Sequence, residues 1–182
     1  MAKAKTKAAL SGPGKVPVSV LVNGLTRKAE LEPCITLLDA LREHWGLTGA
    51  KRVCDRATCG ACTVLVNGAR VYACGLLAID VQGDEITTVE SLDQGGALDP
   101  VQEAFVAADA LQCGFCTCGF VVSATAFLAE NPDPTPAQIR KGMCGNLCRC
   151  GTYVGVQEAV SAAAKALSRA ARPPARRAGG KR

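Results

Sequence analysis

The chain of 182 residues holds eleven cysteines, and eight of them fall into two sets of four. Cys54, Cys59, Cys62 and Cys74 read C-x4-C-x2-C-x11-C. Cys113, Cys116, Cys148 and Cys150 read C-x2-C-x31-C-x-C. A fold built on this chain must bring each set together, and that demand constrains its loops more than any hydrophobic pattern does.

The compartment decides what the thiols are for. An odd cysteine count, the length and the lack of an apolar leader run argue against a secreted disulfide framework. The first fifteen residues carry Lys3, Lys5, Lys7 and Lys15 and no twin arginine. No apolar stretch reaches the roughly 20 residues of a membrane span. The expectation is a cytoplasmic chain with no direct membrane insertion, whose thiolates stay free to bind metal.

The net charge of +5 comes from the ends. With the four lysines of residues 1–15 and the six basic residues of 169–182 set aside, 11 basic and 16 acidic residues remain, a net of −5. Both ends read as basic, disordered, solvated tails rather than as a nucleic-acid surface.

Between the tails the pattern changes once. Val18-Ser19-Val20-Leu21-Val22, a turn at Asn23-Gly24 and a return strand from Arg27 to Leu31 make a hairpin. Thr36 caps a helix with Leu37, Leu38, Leu41 and Trp45 on one face. A loop from Gly46 to Thr58 follows. A second hairpin turns at Asn67-Gly68, and Ile86-Thr87-Thr88-Val89 is the last strand. Two hairpins, one helix and a cysteine loop fit a β-grasp domain over residues 16–92. Gly95-Gly96 marks a linker. Over 97–168 the period is helical: a helix capped by Asp99 with Pro100 and Gln102, a second over Phe120 to Leu128, a third opened by Thr135 and Gln138, and a fourth from Tyr153 to about Ser168. These make a small helical bundle.

The first set has the spacing of plant-type ferredoxins, where four thiolates hold a 2Fe–2S rhomb. A four-cysteine zinc site favours two C-x2-C knuckles, and this set has one. The second set, alone, leaves zinc or a redox dithiol open. Beside the first it reads as a second 2Fe–2S centre. The single histidine, His44, excludes a Rieske centre and a paired-histidine zinc finger. It reads as a surface residue. No P-loop, dinucleotide fingerprint or nucleophile elbow is present, so no residue is expected to be catalytic.

Three motifs carry a resemblance: Cys59-Gly60-Ala61-Cys62-Thr63-Val64, Gln112-Cys113-Gly114-Phe115-Cys116-Thr117 and Gly145-Asn146-Leu147-Cys148-Arg149-Cys150. In their order and spacing the chain resembles the small 2Fe–2S subunit of the molybdenum hydroxylases, the xanthine oxidase and aldehyde oxidase family, over about residues 16–168. The resemblance implies an α+β fold, an N-terminal β-grasp ferredoxin-like domain followed by a C-terminal four-helix bundle. It implies a large molybdopterin-binding catalytic subunit, touched by Gln112 and Cys113, and a medium FAD-binding subunit as partners. Electrons would run from molybdenum to the Cys113, Cys116, Cys148, Cys150 cluster, then to the Cys54, Cys59, Cys62, Cys74 cluster, then to FAD or another acceptor. The net reaction would oxidise an aldehyde, xanthine or an N-heterocycle. A stand-alone two-cluster ferredoxin or redox sensor is the alternative.

Two features depart from the family's pattern. Cys118 stands where Pro or Ser is usual and reads as an inert thiol, as do Cys34 and Cys144. After Cys150 the order is Gly151-Thr152-Tyr153 instead of Thr-Gly-Tyr, a form shared with members some of which lack a flavin subunit.

Overall fold

The computed structural model describes residues 14–93 and 95–170. The two basic tails, 1–15 and 169–182, fall almost wholly outside the described residues.

Strands β1 (Val16–Val22) and β2 (Leu25–Leu31) form the first hairpin. Its turn residues Asn23 and Gly24 have φ of 52° and 74°. Two positive values in succession are what an Asn-Gly turn supplies at low strain and what the twist of the strands requires. β3 (Thr63–Val66) and β4 (Ala69–Tyr72) repeat the arrangement at Asn67 and Gly68, with φ of 51° and 81°. β5 (Glu85–Thr87) runs parallel to β1 and antiparallel to β3. The five-stranded mixed sheet has the order β2-β1-β5-β3-β4.

β5 stops before Thr88, short of the strand expected over 86–89. The Asn23 side chain takes Thr88 out of the ladder: it accepts from the Thr88 amide and donates to the Thr88 hydroxyl, both at 2.9 Å. Val89–Ser91 then turns as a 3-10 helix. The first helix also differs. Thr36 caps α1 (Leu37–Asp39), accepting from the Asp39 amide at 3.1 Å, but Ala40–His44 continues as a π-helical turn. The wider turn lets Ala40 join Leu37, Leu38 and Leu41 in full burial against the sheet.

Four further helices enclose a second core: α2 (Pro100–Ala107), α3 (Thr117–Glu130), α4 (Pro136–Met143) and α5 (Tyr153–Ala170). Both expected capping boxes form. Asp99 accepts from the Val101 amide at 2.8 Å while Gln102 accepts from the Asp99 amide at 2.9 Å. Thr135 and Gln138 exchange the same pair of bonds. Satisfying these free amides is what lets eight-residue helices start cleanly. The α5 stripe Val156, Val160, Ala163 and Ala164 is buried among Phe105, Phe120, Phe127 and Ile139. α3 begins three residues earlier than expected because Cys116 is its N-cap.

Leu65 of β3 meets Val122 and Ala126 of α3, joining the sheet half to the helical half. No helix among the described residues is long and apolar enough to cross a membrane.

Candidate iron–sulfur centres

The first cysteine loop is wound by three left-handed residues, Asp55, Ala57 and Gly60, with φ of 52°, 53° and 74°. That winding turns main-chain amides inward. The Thr58 and Cys59 amides each donate to Cys54 Sγ at 3.4 Å, and the Ala57 amide donates to Cys74 Sγ at 3.2 Å. Cys74 sits just past β4, in the 3-10 turn Ala73–Gly75. Arg42 holds the base of the loop, donating to the Thr48 and Ala50 carbonyls at 2.9 Å. Cys59, Cys62 and Cys74 are buried and Cys54 is half-buried.

The electrostatics split this set. Burial is the largest single influence on the Cys54 thiol and raises it, but the amides of residues 56, 58 and 59 and the Cys59 thiol together outweigh it and bring Cys54 down to about 6. Burial and the neighbouring Cys74 push Cys62 up to about 12.

The second set gathers at helix ends. Cys113 is exposed in the turn after α2, Cys116 caps α3, and Cys148 and Cys150 lie in the turns that lead into α5. The Cys148 amide donates to Tyr153 Oη at 2.9 Å, and the Thr152 hydroxyl donates to Cys148 Sγ at 3.1 Å. The Tyr153 ring meets Phe120 edge-on at 6.4 Å. Burial raises the Cys148 thiol, and the bonds from Thr152, Cys116 and the Cys150 backbone together more than offset it, to about 7. Burial and Cys148 push Cys116 up to about 12. A cavity of about 570 Å³ opens onto Cys113, Cys116 and Cys148, with Cys59 and Ala61 of the first loop on its other wall.

The thiols of each set act on one another: Cys59 and Cys74 both act on Cys62, and Cys113 and Cys148 both act on Cys116 and on Cys150. Among the described residues no group of three or more His, Cys, Asp or Glu is set to hold a single metal ion. A mononuclear zinc needs four ligands converging on one point. A 2Fe–2S rhomb needs two thiolates on each of two irons, and four soft thiol donors per set with amides aimed at sulfur fit it.

Gln112 and Cys113 lie side by side and exposed. Cys118 is half-buried beside Lys51 and Glu90, and burial raises its thiol. Cys34, Cys144 and His44 are exposed. Three residues carry more of the site than sequence reading assigned. Asn146, Thr152 and Tyr72 bond the cysteine loops or their flanks, and only their place inside or next to cysteine motifs marked the first two.

A family profile described as a 2Fe–2S iron–sulfur cluster binding domain matches residues 20–98, and one described as a 2Fe–2S binding domain matches residues 88–161. The chain is 44% identical over 176 residues to the aldehyde oxidoreductase iron–sulfur-binding subunit PaoA of Escherichia coli O157:H7, covering 88% of this chain and 77% of that one. It is 48% identical over 146 residues to the nicotine 6-hydroxylase small subunit of Paenarthrobacter nicotinovorans, covering 80% and 88%. Among solved structures, a chain of quinoline 2-oxidoreductase from Pseudomonas putida 86 superposes with a TM-score of 0.82 at 44% identity, over 86% of this chain and 98% of that one.

Proposed function

The chain belongs to the small iron–sulfur subunits of the molybdenum hydroxylases, and from that membership we propose that it carries two 2Fe–2S clusters and relays electrons between a molybdopterin-binding large subunit and a further acceptor. Cys54, Cys59, Cys62 and Cys74 would hold one cluster in a ferredoxin-like domain over 16–92. Cys113, Cys116, Cys148 and Cys150 would hold the other in a four-helix bundle over 97–168. The observation that carries the reading is the aiming of main-chain amides and a hydroxyl at Cys54, Cys74 and Cys148 inside the two four-cysteine sets.

When bound, such clusters supply one-electron carriers. The residues here do the rest. The inward amides of 57–59 favour the charged thiolates that ligation needs. Exposed Gln112 and Cys113 stand ready for contact with the pterin on the large subunit. Exposed Phe115 and Leu147, both at 50%, would be covered by that partner. A medium FAD-binding subunit is the proposed acceptor, and the cytoplasm the proposed compartment. The complex would oxidise an aldehyde, xanthine or an N-heterocycle.

EPR of the dithionite-reduced protein, purified with whatever co-purifies and analysed for Fe, Zn and Mo, tests this. Two distinct 2Fe–2S signals, about four iron per chain and molybdenum in the complex are expected. Two signals without molybdenum or partners point to a free ferredoxin. Zinc without an EPR signal overturns the cluster reading.

A further inference from the structure

Main-chain amides, among them those of Ala57, Thr58 and Cys59, reach the sulfurs of the first cysteine set. The second set has a side-chain donor. Thr152 Oγ1 lies 3.1 Å from Cys148 Sγ, with Thr152 9% and Cys148 7% exposed. The placement follows from the turn. The Gly151 amide donates to the Cys148 carbonyl at 3.3 Å, Gly151 has φ of 82°, and the Val156 amide donates to the Thr152 carbonyl at 3.0 Å. The chain therefore doubles back over Cys148 and places Thr152 immediately before α5. A β-branched residue at position 151 would be strained at that φ. The Gly-Thr-Tyr order puts the glycine where the backbone needs it and the threonine against the sulfur.

We propose that Thr152 is a positioning residue that acts through Cys148, its hydroxyl holding the reduction potential of the second centre more positive than the cysteines alone would set it. This rests on the reading that Cys148 ligates a 2Fe–2S cluster. Reduction of a cluster held by Cys148 would add one electron, part of whose charge would fall on the ligand sulfurs. A donor 3.1 Å from one of them stabilises the reduced state more than the oxidised state. Burial keeps water from screening that difference. No proton moves and no bond is made or broken. The consequence is directional: the centre keeps a larger share of the electron at equilibrium with its neighbour.

The test is a potentiometric titration with EPR detection, on the full chain in its co-purified complex with both clusters loaded. Thr152→Val and Thr152→Ala remove the donor. Thr152→Gly, the residue the Thr-Gly-Tyr order places here, guards against a variant that fails to fold. Each should lower the ratio of reduced to oxidised second centre at a fixed potential by about threefold or more, leaving the first centre's midpoint in place. Thr152→Ser, which keeps the hydroxyl, should retain the wild-type midpoint. Unchanged midpoints in the donor-free variants overturn the proposal while leaving the clusters intact. A serine variant shifted as far as alanine also overturns it, since packing rather than the donor would then be responsible. A wild-type chain lacking a second 2Fe–2S signal removes the cluster reading and this inference with it.

Discussion

The Asn146 side-chain amide donates to the Gly60 carbonyl at 2.9 Å, tying the loop of one cysteine set to the loop of the other across 86 residues of sequence. The same nitrogen reaches Thr63 Oγ1 at 3.2 Å, and Asn146 Oδ1 accepts from the Ser123 hydroxyl at 2.7 Å. One residue on, the Leu147 amide donates to the Cys59 carbonyl at 2.8 Å. Tyr72 Oη donates to the Gly145 carbonyl at 2.7 Å from the other side. Asn146 is 4% exposed, so water cannot replace these bonds.

Asn146→Ala should therefore destabilise the chain by about 2–4 kcal/mol, because it leaves Ser123 and part of the Gly60 junction without partners in a buried site. For a chain of this size that corresponds to a fall in Tm of roughly 5–15 °C. Calorimetry of the cluster-loaded protein measures it, and an unchanged Tm would contradict the tie.

Gly119→Ala sets two effects against each other. Alanine favours a helix interior over glycine by about 1 kcal/mol. A Cβ at Gly119, however, would run into the Gly60 carbonyl oxygen and lie 3.1 Å from Ala61 Cα, both main-chain atoms of the first cysteine loop. Backbone cannot give way as a flexible side chain can, and overpacking of this kind costs about 1–3 kcal/mol or more. The clash should win, lowering both Tm and iron content; a variant more stable than wild type refutes the close packing of α3 on that loop.

Cys59→Ala and Cys118→Ser should behave oppositely. Cys59 is buried in the first cysteine set as a proposed ligand, so its loss should remove one EPR signal and about half of roughly four iron per chain. Cys118 is half-buried in the first turn of α3 outside both four-cysteine sets, and its substitution should leave both signals. A lost signal in the Cys118 variant would make that thiol a ligand.

Alkylation of the iron-stripped chain should depend on pH in a way set by the amides. Cys54 is brought down to about 6, below the ordinary thiol value of 9.0. The stabilisation carried by its thiolate is complete above pH 9.0 and is lost as pH falls through about 6. Cys62, held up to about 12, stays protonated throughout. Iodoacetamide at pH 7 should label Cys54 and spare Cys62, with Cys54 labelling falling away below about pH 6, as peptide mass spectrometry would read. Equal labelling of the two would rule out this division.

Where the controlling interactions are local, the sequence was readable. Asn23-Gly24 and Asn67-Gly68 announce their hairpins because the turn conformation is decided within two residues. Asp99 with Gln102 and Thr135 with Gln138 announce helix starts because a capping box closes within four. The end of β5 was not readable, since it depends on Asn23, 65 residues away in sequence. Nor was the π turn after α1, whose burial is set by the sheet it packs on.

By itself, then, the sequence determined which residue types stand ready for soft metal chemistry, at what spacing, and which local elements flank them. The tertiary structure decided which sulfurs receive donors and how the two loops are joined. Those depend on contacts such as Asn146 to Gly60 and Arg70 to the Gly142 carbonyl, which close only when the sheet and helical cores have packed against each other. Hydrogen bonds of that kind are worth little in an open chain and become decisive only once packing has removed the water that would compete for them.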